Sequence, residues 1–292
     1  MDNLEIDLST FDVRRIQLKG KKLSDIYIFS KDDTNYFGKV VKIPFDDSQK
    51  EEFEKSIRYL KEINYPTILH VIGWSINANF ADSFPMIITE FMPRKSLDIV
   101  FMAITNKKQS QSWTDTKRYI TAIGVAYGMR YLHSKDIIHK NLRPSKIFFD
   151  NNYYPHVSFL TLDPEFENEG ELPKQYIDFY APELFNSWLY QECTKATDVY
   201  AYSMIIYQLF TNKNPPGKSQ KRQQADLATI DQNMKKFFET CWNENPEKRP
   251  SFNDIVEYFS QDSIKSAFGN VHYDEIDKYI NSFLIPSLAD SP

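Results

Sequence analysis

Tyr131-Leu132-His133-Ser134-Lys135-Asp136-Ile137-Ile138-His139-Lys140-Asn141-Leu142-Arg143-Pro144-Ser145-Lys146-Ile147 is the stretch on which the fold is read. Its first residues close a long helix predicted over 113–134, opened by Trp113-Thr114-Asp115. Upstream, residues 14–43 read as strands. Ile26-Tyr27-Ile28-Phe29 and Val40-Val41-Lys42-Ile43 are β-branched or aromatic runs, parted by the turn-rich Lys31-Asp32-Asp33-Thr34-Asn35. Phe53, Ile57, Leu60 and Ile63 recur on one face of a helix predicted over 48–63, which Tyr65-Pro66 stops. Two further strands are expected near 68–75 and 85–91. Downstream the pattern is helical: 194–211, 232–242, 251–260 and an amphipathic stretch, Tyr273 to Leu284, with Ile276, Tyr279, Ile280 and Phe283 on its apolar side. A sheet-rich part before a larger helical part is an α+β arrangement.

Composition narrows the function classes. With 41% hydrophobic and 15% aromatic residues among 292, a sizeable core is expected. The net charge of −5 and the absence of a basic stripe argue against a nucleic-acid partner. No run of 18 apolar residues occurs, so no membrane span is expected. Cys193 and Cys241 stand far apart and form no metal-type pair, which fits a reducing cytoplasm. The acidic N-terminus lacks a signal-peptide pattern. There are only 8 glycines, which bears on any loop that must approach phosphate closely.

The quoted stretch resembles the catalytic-loop region of eukaryotic protein kinases, Y-L-H followed by H-R-D-L-K-P-x-N. Tyr180-Ala181-Pro182-Glu183-Leu184 is similar to the A-P-E element, and Asp198-Val199-Tyr200-Ala201-Tyr202-Ser203 to the start of the family's buried helix. Cys241-Trp242 through Arg249-Pro250-Ser251-Phe252 resembles the C-W-x-x-x-P-x-x-R-P-S-F signature of the tyrosine-kinase-like group. The resemblance implies a bilobal fold, with an antiparallel N-lobe sheet plus one helix and a mainly helical C-lobe. It divides the chain into an N-terminal extension (1–13), an N-lobe (14–92), a C-lobe (93–262) and a tail (263–292).

In that family phosphoryl transfer is achieved by positioning and electrostatics. Lys42, in Val40-Val41-Lys42, resembles the strand lysine that pairs the nucleotide phosphates. Its helix glutamate falls on Ser56, which carries no charge; Glu52 and Glu54 point elsewhere unless the helix turns. The three glycine positions of the phosphate loop fall on Lys19, Lys21 and Ser24, with Gly20 between. The catalytic aspartate becomes Asn141, whose amide has no accessible basic form. The metal-binding asparagine becomes Lys146, which repels a cation, and the D-F-G aspartate becomes Phe159, which offers no oxygen. Arg143 replaces the usual lysine, and Lys140 replaces the arginine that receives phosphate in the family. The segment 162–180 has no serine or threonine and carries a row of acidic residues, so switching by phosphothreonine is not expected.

The structural parts are kept. By the resemblance, Leu60, Val71, Leu160 and His139 take the positions of the family's apolar stack, Glu183 and Arg249 those of its C-lobe ion pair, and Asp198 that of the brace of the catalytic loop. The resemblance places Ile26 and Val40 above the adenine, Phe148 below it, Thr89 as gatekeeper, and Glu90, Phe91 and Met92 in the hinge. Val40 in place of alanine narrows that slot. The expected protein is a pseudokinase that serves as a signalling scaffold or allosteric regulator, with other signalling proteins, an active kinase included, as partners. ATP is expected weakly, without metal, with Lys42 and Lys146 replacing magnesium charge; magnesium itself is not expected. The alternatives are a divergent ATP-dependent serine/threonine kinase with residual activity and a nucleotide-sensing module.

Overall fold

The computed structural model describes residues 5–15, 26–40, 47–76, 85–159, 174–185, 189–215, 227 and 230–284. Lys42, Leu160, the loop positions Lys19, Lys21 and Ser24, and the acidic residues 163–171 lie outside the described residues.

A five-stranded antiparallel sheet makes the N-lobe, in the order β1 (Asp12–Arg15), β2 (Ile26–Lys31), β3 (Thr34–Val40), β5 (Pro85–Glu90), β4 (Val71–Ile76). β2 and β3 are joined by Asp32-Asp33 alone, both with positive φ (48° and 59°). A two-residue hairpin turn of that kind matches the twist of its strands, and aspartate tolerates it. The turn therefore spans fewer residues than expected, and β3 starts at Thr34 rather than near 40. It also fixes the register: Lys31 faces Thr34, Tyr27 faces Gly38, and Ile26 faces Lys39.

Directly paired residues share a sheet face. One face carries Tyr27, Phe29, Val40, Met86 and Ile88, closed over by Leu8 of the N-terminal segment. Position 38, on this face, takes a glycine because a Cβ there would collide with the Phe29 ring. The opposite face presents Val71, Trp74 and Ile87 to helix α1 (Asp47–Glu62), which buries Phe53, Ile57 and Leu60 against them. The N-terminal segment belongs to this assembly: Ile6 N donates to Trp74 O at 2.7 Å, extending the β4 edge, and Lys50 of α1 pairs with Glu5 at 3.6 Å.

The remainder is mostly helical: α2 (Leu97–Thr105), α3 (Asp115–Ser134), α4 (Lys195–Thr211), α5 (Gln232–Cys241), α6 (Phe252–Phe259), α7 (Asp262–Ala267) and α8 (Tyr273–Tyr279). Thr114 caps α3 by accepting from Lys117 N, and Thr194 and Ser251 make capping boxes for α4 and α6. A hairpin of β6 (Ile147–Phe149) and β7 (Pro155–Val157) links the lobes. Val157 N donates to Thr67 O at 2.7 Å, Leu69 N to Val157 O at 2.9 Å, and Phe149 N to Lys95 O at 2.9 Å.

The expected tail helix docks on the domain. α8 runs into a π-helical turn, Ile280–Leu284. Ile276, Tyr279 and Leu284 are buried in the main core, while Ile280 and Phe283 pack at its edge. Gly124 of α3 allows the approach, since a Cβ would meet the Tyr279 hydroxyl and Pro155.

Two polar constructions fix the loop after α3. The buried Asp198 carboxylate accepts from His139 N and Lys140 N, each at 2.8 Å, and contacts His133 Nε2 at 2.9 Å. Arg249 grips Glu183 through both terminal nitrogens, at 2.7 and 2.8 Å, and reaches the carbonyls of Ala196 and Asn243. Removing one member of such a pair leaves a buried charge uncompensated, a loss of roughly 3–5 kcal/mol.

His139 is buried. Burial pushes its pKa down to about 4, against the pull of Asp198 and with a further push from Lys146. The unfolded chain therefore takes up this proton more readily than the native one. Stability is whole above pH 6.5 and is lost as pH falls towards 4, by up to about 3 kcal/mol. Urea midpoints measured across that interval should fall steeply for the wild type and less for His139→Phe; parallel profiles would contradict the assignment.

Candidate active-site cleft

The loop that follows α3 owes its shape to Asp198 and to Lys140, whose φ of 63° turns the chain. Asn141 follows directly. Its backbone N–H donates to His139 Nδ1 at 3.3 Å, so that nitrogen accepts. Its carboxamide is buried, and among the described residues neither Oδ1 nor Nδ2 has a hydrogen-bond partner. A carboxamide in this place can accept or donate a hydrogen bond but cannot take a proton from a hydroxyl.

Lys146 ends the short 3-10 turn Pro144–Lys146, and its side chain is buried. Its carbonyl accepts from Ser158 N at 2.8 Å, which sets Phe159 one residue further on. Phe159 is part of the main hydrophobic core. An ammonium and a phenyl ring thus stand where the resemblance asks for two oxygen ligands, and neither fits a divalent cation. No group of three or more metal-ligating side chains is found among the described residues. Arg143 is also buried; its Nε donates to Ser145 Oγ at 3.0 Å and its guanidinium lies 3.4 Å from the centre of the Tyr176 ring.

At the hinge, Thr89 is buried, its hydroxyl donating to Glu90 O at 3.1 Å. The Glu90 carboxylate turns back and accepts from His70 N at 2.8 Å, with His156 Nδ1 3.5 Å away. Met92 is buried, and its carbonyl accepts from Lys95 N. Phe148 is half-buried on β6, opposite His156. Its neighbours Ile147 and Phe149, with Val157, point into the core. Phe148 and His156 therefore share the face turned away from that core.

The expectation for Val40 is corrected by the strand register. Val40 pairs with Met86 and packs in the cluster under Leu8, on the face away from Thr89. Phe37 pairs with Thr89 and Lys39 with Ile87, so these two, with Ile26, occupy the face on which Val40 was expected. The physical reason is the two-residue turn: once Lys31 faces Thr34, every residue of β3 has its side assigned. Phe37 and Lys39 were not singled out in the sequence, although counting forward from Asp32-Asp33 puts them on this face. Lys42 falls outside the described residues. The structure brings Asn141, Lys146 and Phe159 to one stretch of the C-lobe, and Ile26, Thr89, Glu90 and Met92 to the sheet and hinge above it. On α1, Glu54 lies 3.9 Å from Arg58 on an exposed flank, and Ser56 is half-buried.

Comparison with known proteins agrees with this architecture. The sequence pattern of the family described as protein tyrosine and serine/threonine kinase matches residues 29–259. A probable serine/threonine-protein kinase of Dictyostelium discoideum is 31% identical over 218 residues, 71% of this chain and 20% of that protein. Serine/threonine-protein kinase 12 of Arabidopsis thaliana is 28% identical over 231 residues, covering 72% of this chain and 48% of its own length. The tyrosine-protein kinase receptor svh-2 of Caenorhabditis elegans is 25% identical, covering 70% and 20%. The chain thus spans less than half the length of these relatives. With the matched pattern covering most of it, the chain belongs to the protein tyrosine and serine/threonine kinase family.

Proposed function

We propose that this chain is a pseudokinase of the tyrosine-kinase-like group, acting as a scaffold or allosteric regulator of other signalling proteins, an active kinase among them. One observation carries the reading: the three positions that should supply a base and two metal ligands hold Asn141, Lys146 and Phe159, with Phe159 committed to the core. Loss of a base alone leaves residual catalysis, because members of one catalytic unit do not act additively. Loss of both oxygen ligands removes the charge neutralisation on which phosphoryl transfer depends. The retained brace at Asp198 and the Glu183–Arg249 pair support a folded surface kept for binding rather than turnover. The Cys241–Phe252 pattern supports the group assignment, and the free, buried Cys193 and Cys241 fit a reducing cytoplasm. No described helix is long and apolar enough to cross a membrane.

A second reading, a nucleotide sensor without turnover, is favoured by apolar residues around the cleft that no core cluster claims: Ile26, Ile28, Phe37, Met92 and Phe148. Because Lys146 and Phe159 repel or ignore a cation, nucleotide held there is held weakly and without magnesium.

The enzyme alternative is a divergent serine/threonine kinase. Incubation with radiolabelled ATP, magnesium and a general protein acceptor separates it from the proposal. Incorporation by the wild type should equal that of Lys39→Ala/Lys42→Ala; a wild-type signal well above that variant's would establish a kinase. Melting temperatures with millimolar ATP should rise equally in EDTA and in magnesium. A rise that depends on magnesium would refute metal-free binding.

A further inference from the structure

The tail and the hinge meet on the β6–β7 hairpin. Glu90, the last residue of β5, is tied twice to His70. Its N–H donates to His70 O at 3.2 Å, and its Oε1 accepts from His70 N at 2.8 Å. The same Oε1 stands 3.5 Å from Nδ1 of His156, on β7. The His156 ring also meets the Phe283 ring edge-on, with 6.4 Å between centroids and 79° between planes. Phe283 in turn lies 5.3 Å from both Tyr279 and Tyr154. A run of contacts thus leads from a hinge carboxylate, through one imidazole, to the end of the tail.

The tail is shaped to make this contact. Its π-helical turn, Ile280–Leu284, is of a rare kind that collects at functional sites. It carries Leu284 into the core and leaves Phe283, half-buried, on His156. The start of the tail is anchored separately on α3. His272 N donates to Thr116 Oγ1 at 2.9 Å, and Glu275 pairs at 2.6 Å with Lys117, which also lies over the Tyr154 ring. Phe283 can therefore part from His156 while the tail stays attached.

We infer that the π-helical end of the tail is a strut for the hinge: seated on His156, Phe283 keeps Glu90 clasped to His70, and its withdrawal loosens that clasp. His156 is buried, and burial lowers its pKa against the pull of Glu90 and Asp150. The charged groups around it are Glu90 from the hinge, Asp150 from the hairpin turn, and the Glu275–Lys117 pair beside Tyr154. Withdrawal of Phe283 admits water to the imidazole and lets it take up a proton more readily. The charged ring then competes with the His70 N–H for Glu90 Oε1. By reciprocity, a change at Glu90 alters how firmly Phe283 sits. The strut goes beyond the pseudokinase reading and does not depend on it.

Hydrogen exchange of the His70 and Glu90 amides, resolved by nuclear magnetic resonance, is the test. In Phe283→Ala both should exchange about ten-fold or more faster than in the wild type, while the amides of the β2–β3 hairpin keep their rates. Ser282→Ala, exposed on the same turn, should change neither. After correction for intrinsic rates, the excess in Phe283→Ala should shrink as pH rises from about 6 to about 8, and Phe283→Ala/His156→Gln should lose that dependence. Melting curves establish that the variants are folded. Wild-type rates at His70 and Glu90 in Phe283→Ala, an equal rise over the β2–β3 hairpin, or an excess that ignores pH would each overturn the strut.

Discussion

A single carboxylate organises the middle of this molecule. Asp198, near the start of α4, accepts two backbone N–H groups and meets the His133 ring, and so joins α3, the following loop and α4 at one point. Charge-assisted hydrogen bonds to backbone donors are among the stronger ones available to a protein interior. Around this point the positive φ of Lys140 is held, Asn141 is set into its buried place, and the 3-10 turn that carries Lys146 begins. The β6–β7 hairpin and its hydrogen bonds to residues 67–69 and 95 then fix the two lobes to each other. The frame of a catalytic site is therefore intact, down to the bidentate Arg249–Glu183 clamp.

What the frame holds has changed sign. Oxygen donors would bring a divalent cation to the cleft, whereas a buried ammonium at Lys146 and a guanidinium at Arg143 bring fixed positive charge, and Phe159 brings none. Burial strengthens any electrostatic effect, so the difference cannot be screened away by solvent. The neutral His139 is a consequence of the same environment, as burial and the charge of Lys146 both keep a proton off it. A buried ammonium and a core phenyl ring thus stand in the places where the family's pattern has metal ligands.

Much of this was legible in the sequence, and for definite reasons. The loop from Tyr131 to Ile147 shows its substitutions directly, because its residue types sit at fixed spacing. Phe53, Ile57, Leu60 and Ile63 gave a helix whose buried face is the expected one. Glu183 and Arg249, 66 positions apart, were paired only through the family resemblance, since nothing local to either residue points to the other. The side assignment of β3 was not reached: Val40-Val41 looks alike on both faces, and the deciding feature lies in the turn, at Asp32-Asp33. The tail helix was found, but its π-helical end was not. That turn brings Leu284 into the core while Phe283 stays at the edge, a shift that a simple helical period does not contain.

The central claim is that the described residues of the cleft, Asn141, Lys146 and Phe159 among them, offer a divalent ion nothing to bind. Manganese(II), which reports its surroundings by electron paramagnetic resonance, tests this directly in the presence of ATP. The account predicts that wild-type protein leaves the spectrum of manganese–ATP unchanged, while Lys146→Asn/Phe159→Asp converts it to that of a protein-bound ion. A protein-bound spectrum from the wild type would contradict it.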